Sequence, residues 1–77
     1  MWTIDKLRQY FKDQGIPESY FGLYRDVDDA FCVEKRGDEW LVYFSERGKR
    51  RELGWGKTES QALDILRLYV VEESKLM

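Results

Sequence analysis

The chain has 77 residues and 9.3 kDa, enough for one domain, because a chain this short buries only roughly 60–65% of its unfolded surface. Hydrophobic residues make up 43% and aromatic residues 16%, large apolar side chains that offset the entropy of ordering and exclude a disordered chain despite 36% charge. Thirteen Lys and Arg against 15 Asp and Glu give a formal charge of −2, the opposite of the basic excess that a generic polyanion binder carries.

Thr3 is positioned to cap a first helix in which Ile4, Leu7, Tyr10 and Phe11 recur at helical spacing. Gly15 and Pro17 end it. Residues 18–29 carry an aromatic stretch, Tyr20-Phe21-Gly22-Leu23-Tyr24, and then an acidic turn with Asp26, Asp28 and Asp29, and they receive no regular assignment. From Phe31 the period becomes two, and Gly37-Asp38 closes a first hairpin. A second strand over 39–45 places Trp40, Val42 and Phe44 on one face and Leu41, Tyr43 and Ser45 on the other. Glu46-Arg47-Gly48-Lys49 makes the next turn, and a third strand over 50–55 adds Leu53 and Trp55 to the aromatic face. Thr58 caps the last helix with Gln61 at capping-box spacing, and Ala62, Leu63, Ile65, Leu66, Tyr69 and Val70 form its apolar stripe. Glu72 and Glu73 oppose the dipole at its end and predict fraying there. The expected fold is therefore α+β, in the order α-β-β-β-α: a single compact domain over 1–77, with a three-stranded antiparallel sheet and both helices on one face.

Several functions drop out on residue types alone. Cys32 is the single cysteine, which rules out an internal disulfide and a Cys-rich zinc site. The absence of histidine removes Ser-His-Asp and Cys-His catalysis and imidazole metal sites. The adjacent acids Asp28 and Asp29, Asp38 and Glu39, and Glu72 and Glu73 read as solvated charge. The expectation is a non-enzyme with no catalytic residue, no metal and no cofactor. No run approaches the roughly 20 apolar residues that span a bilayer, and the first residues lack the order of an export signal, so a cytoplasmic location without membrane contact is expected.

Two surfaces remain as candidate sites. On the face away from the helices, Leu41 and Tyr43 ringed by Glu34, Arg36 and Glu52 have the apolar centre and charged rim of a protein contact. Asp26, Asp28 and Asp29 extend that surface towards a cationic partner. The second surface is basic: Arg47, Lys49, Arg50 and Arg51 crowd the second hairpin, with Lys57 at the start of the last helix. Cys32 shares the outer face as a structural residue, and Trp40 and Trp55 belong to the core by parity.

Two families resemble parts of this pattern. The element order, with Gly54-Trp55-Gly56-Lys57-Thr58 before the last helix and Ala62 within it, resembles the double-stranded RNA-binding domain. That resemblance implies the fold, with RNA contact through Arg47, Lys49, Arg50, Arg51 and Lys57; the lysines that face phosphate in that family are replaced by Glu59, Ser60 and Leu63. The stretches Gly15-Ile16-Pro17-Glu18-Ser19-Tyr20, Phe31-Cys32-Val33-Glu34-Lys35 and Trp40-Leu41-Val42-Tyr43-Phe44-Ser45-Glu46-Arg47-Gly48 are similar to small bacterial proteins of toxin–immunity systems. This second resemblance implies a bacterial or phage protein that binds and blocks a cationic toxin domain without catalysis. It is expected to act as a monomer or weak homodimer, with RNA binding as the alternative.

Overall fold

The computed structural model describes residues 1–75. Helix α1 (Ile4–Asp13) starts where Thr3 Oγ1 accepts the Lys6 amide at 3.2 Å, and the chain leaves it through Gly15 at φ +73°. A single 3₁₀ turn (Glu18–Tyr20) leads into β1 (Phe21–Leu23), followed by β2 (Ala30–Arg36), β3 (Glu39–Glu46), β4 (Lys49–Gly56) and α2 (Glu59–Lys75). Helix α2 starts where Thr58 Oγ1 accepts the Gln61 amide at 3.1 Å, while Gln61 reaches back to the Lys57 amide at 2.9 Å. It continues as helix through Glu72 and Glu73.

The sheet has four strands in the order β1-β2-β3-β4, not the three antiparallel strands expected from the sequence. The added strand lies in the segment left unassigned and pairs parallel to β2, with Phe21 opposite Phe31 and Leu23 opposite Val33. Parallel neighbours ordinarily need a crossover of a dozen or more residues. Here residues 24–29 suffice, because a three-residue strand asks the chain to travel back only about 10 Å. Tyr24 and Asp29 bracket the return at φ 62° and 57°.

Both helices pack on one face of the sheet, as expected. Leu7 and Phe11 of α1, Phe21, Phe31, Val33 and Val42 of the sheet, and Ala62, Leu63, Leu66 and Val70 of α2 are buried together in the main core. Gly56 permits the close approach of α2, since a Cβ there would stand 2.6 Å from the Ala62 amide nitrogen. Trp2 ties the helices together: its amide donates to Ser60 Oγ at 2.8 Å, its indole N–H to Asp64 at 3.2 Å, and its ring meets Tyr10 edge-on at 5.5 Å.

The two hairpins follow their turn residues. Gly37 takes φ 61° between β2 and β3, and Arg47 and Gly48 take 51° and 79° between β3 and β4. Strand β4 then departs from simple alternation. Val42 faces Gly54 while Tyr43 faces Glu52, so Leu53 is an extra residue in a β-bulge. Leu53 packs on the main core, but the parity of every later residue is reversed. Trp55 consequently lies opposite Leu41 on the outer face and is 44% exposed, correcting its placement in the core. No helix among the described residues is long and apolar enough to cross a membrane.

Candidate functional site

The outer face of the sheet is built from the residues that alternate away from the helices. Its register places Gly22, Cys32, Tyr43 and Glu52 in one row and Glu34, Leu41 and Trp55 in the next. Part of this face is not open. The 24–29 return crosses it, and Val27 packs on a second buried cluster of Ala30, Cys32, Leu41 and Tyr43. Leu41 and Tyr43 are 2% and 1% exposed, which corrects the expectation that they form an accessible apolar centre. The physical reason is the short crossover: a loop that links parallel neighbours must pass over one face, and the helices occupy the other.

Polar side chains seal this second cluster. Arg50 lies over the Tyr43 ring at 4.6 Å, donates to Asp26 at 3.1 Å and is bonded to Glu34. Glu34 also accepts from Arg36 at 2.9 Å. Hydrogen bonds from Ser45 and then Arg50 hold the Asp26 carboxyl below its ordinary range. Burial pushes the Cys32 thiol up, consistent with a packed, unreactive side chain whose sulfur accepts the Val27 amide at 3.5 Å. Burial likewise raises the Tyr43 phenol to about 12.

The structure thus brings Leu41, Tyr43, Glu34 and Asp26 together, but as a sealed unit in which both acids already meet arginine. Asp28 accepts the Arg47 amide at 2.8 Å and pins the return to the β3–β4 turn. Asp29 is not part of this face; it lines a depression on the helix side with Tyr20, Phe31 and Phe44. Of the basic residues, Arg47, Lys49, Arg50 and Arg51 line one depression at the β3–β4 hairpin together with Phe44 and Glu46, while Lys57 lies outside it. Arg50 faces outward, Arg51 lies 6.0 Å from the Phe44 ring centre on the opposite face, and Arg47 and Lys49 flank the turn. Lys57 is separated from Arg50 by seven residues of extended chain, about 23 Å.

Among the described residues, Trp55 is the large apolar side chain that stays exposed on the outer face. Its indole N–H points to Glu52 Oε2 at 3.4 Å, and its ring neighbours Leu41. Trp2 and Trp40 are half-buried; Trp40 donates to the Tyr24 hydroxyl at 2.7 Å, which donates on to Glu59 at 2.6 Å. That contact and burial raise the Tyr24 phenol to about 12, with desolvation the larger cause. Simple alternation missed Trp55 as a surface residue. The signal available in the sequence is its pair of flanking glycines, because glycine inside a strand marks bulges.

Comparison with protein-family models, with curated proteins and with solved structures returns no match.

Proposed function

We propose that this domain is a non-catalytic protein-binding module, of the kind that inhibits a toxin-like partner, and that it meets a cationic partner through the outer face around Trp55. The observation that carries the reading is a tryptophan left 44% exposed on a strand, beside a sealed apolar cluster. Tryptophan on a rigid element is the residue type most enriched among binding hot spots, since it supplies large area at little entropic cost. Its surroundings favour a basic partner. Glu39 and Glu52 share the face with Trp55 by register. Arg36 and Arg50 are engaged with Glu34 and Asp26. Complementary charge of this kind steers association and selects against acidic partners.

The test is recovery of tagged protein from its host, with and without nuclease, followed by affinity measurement with the recovered partner. The reading expects a stoichiometric protein that survives nuclease and binds the Trp55→Ala variant at least 30-fold more weakly, the fold-change of a 2 kcal/mol hot spot. Unchanged affinity of Trp55→Ala overturns the assignment of the face. Recovery that disappears with nuclease overturns the protein reading in favour of RNA, with Arg47, Lys49, Arg50, Arg51 and Lys57 as the residues to neutralise.

A further inference from the structure

On the helix side of the sheet, Tyr20, Asp29, Phe31, Phe44, Val70 and Glu73 line a depression of about 300 Å³. We infer that this depression is a site for an alkylammonium group, the head of a lysine side chain or of a small organic cation. The size is that of a small ligand site. Three aromatic residues, two acids and Val70 make up the lining, with no lysine or arginine among the described residues that form it.

The rings are held in a fixed array. Phe31 meets Phe44 edge-on at 5.0 Å and 61°, and Tyr69 of α2 stacks on Phe31 at 5.5 Å and 26°. Aromatic faces carry the negative part of the ring quadrupole and attract a cation that sits over them, most strongly where water is partly excluded. An alkylammonium ion matches such a wall because its charge is spread over methyl or methylene groups that tolerate an apolar contact. Among the described residues, Arg51 lies 6.0 Å from the Phe44 ring centre and lines the neighbouring depression.

The two carboxylates enter from separate elements. Asp29 stands at the end of the 24–29 return with φ 57° and lines the depression. Glu73 lies in the last turn of α2, where the unpaired carbonyls carry partial negative charge and an acid is unfavourable on its own. A bound cation relieves both the carboxylate and the helix end. The site lies in the opposite layer from Trp55, so it stands independently of the outer-face reading.

The experiment is an NMR titration of the aromatic ring resonances with choline and with its neutral carbon analogue, 3,3-dimethylbutan-1-ol. The inference expects saturable shifts of Phe31, Phe44 and Tyr20 with choline, at an affinity about tenfold above that of the neutral analogue. Asp29→Asn, which keeps a residue type suited to positive φ, and Glu73→Gln, at an exposed helix position, each weaken choline several-fold without altering the amide spectrum. A peptide bearing trimethyl-lysine distinguishes the source: tighter binding than choline points to a protein side chain, and equal binding to a free cation. Equal binding of the neutral analogue, or ring shifts that never saturate, overturns the inference.

Discussion

The guanidinium of Arg50 lies 4.6 Å from the centre of the Tyr43 ring, closing from the solvent side a cluster that the chain itself covers with Val27. One side chain therefore does two things: it shields a tyrosine that is 1% exposed and it joins Asp26 of the return to Glu34 of β2. Arg50→Ala is expected to lower the urea midpoint of unfolding, and Arg50→Lys to recover only part of it, because an ammonium cannot fork onto two carboxylates. Tyr43→Ala, which empties the cluster, is expected to cost more, about 3 kcal/mol. Urea denaturation followed by circular dichroism ranks the three variants, and an Arg50→Ala protein as stable as the parent contradicts the sealing role.

Gly22 is the position where the parallel pairing of β1 is most exposed to sequence change. A Cβ there would stand 2.2 Å from the Arg25 carbonyl oxygen and 2.9 Å from Cys32 Sγ. The first of these is backbone and cannot rotate away, so Gly22→Ala must push the return off the outer face. The expected destabilisation is about 3 kcal/mol, at the upper end of overpacking effects. Hydrogen exchange gives the independent readout: the Tyr24 amide, bonded to the Val33 carbonyl at 3.0 Å, should lose protection in the variant. Retained protection at Tyr24 with parental stability refutes the close approach.

The parts of this fold that were legible in the sequence are those decided by local chemistry. Thr3 and Thr58 cap the helices, Gly37 and Gly48 turn the hairpins, and the alternation of β3 separates Val42 from Tyr43. Strand β1 was not legible because Phe21-Gly22-Leu23 is too short to show a period, and its pairing depends on contacts made by residues far along the chain. The candidate site failed for a related reason. Alternation assigned Leu41 and Tyr43 to the correct face, but no property of those residues announces that Val27 and Arg50 will cover them. Trp55 was misplaced by a single inserted residue, since one bulge at Leu53 inverts the faces of all that follows in the strand.

The bulge predicts how the three tryptophans divide in fluorescence. Trp55 is 44% exposed, whereas Trp2 and Trp40 are half-buried and pack on the main core. Acrylamide should therefore quench two classes of emission, and Trp55→Phe should remove the readily quenched one. Stability should change by less than about 1 kcal/mol, as for surface substitutions away from caps and cores. A large loss of stability, or loss of the protected emission instead, would mean that Trp55 faces the helices and that β4 runs without its bulge.

Alkaline pH tests the second cluster through the charge of Tyr43 itself. The phenol is raised to about 12 in the folded chain, chiefly by burial, against about 10 for an open chain. Between these values the folded state holds the proton and the unfolded state releases it. Stability from this group is therefore complete below about pH 10 and is lost as pH rises towards 12, a loss on the order of 1 kcal/mol by pH 11. Tyr24 is raised to about 12 as well and contributes in the same direction, so the parent protein should weaken more than Tyr43 alone requires. Tyr43→Phe removes one ionisable group while keeping the ring beneath Arg50, and its stability should fall less steeply between pH 9 and pH 11 than that of the parent. Adding Tyr24→Phe should flatten the slope further. Urea unfolding at the two pH values measures the difference, and a Tyr43→Phe variant that declines as steeply as the parent would show that the phenol is not held neutral by the fold.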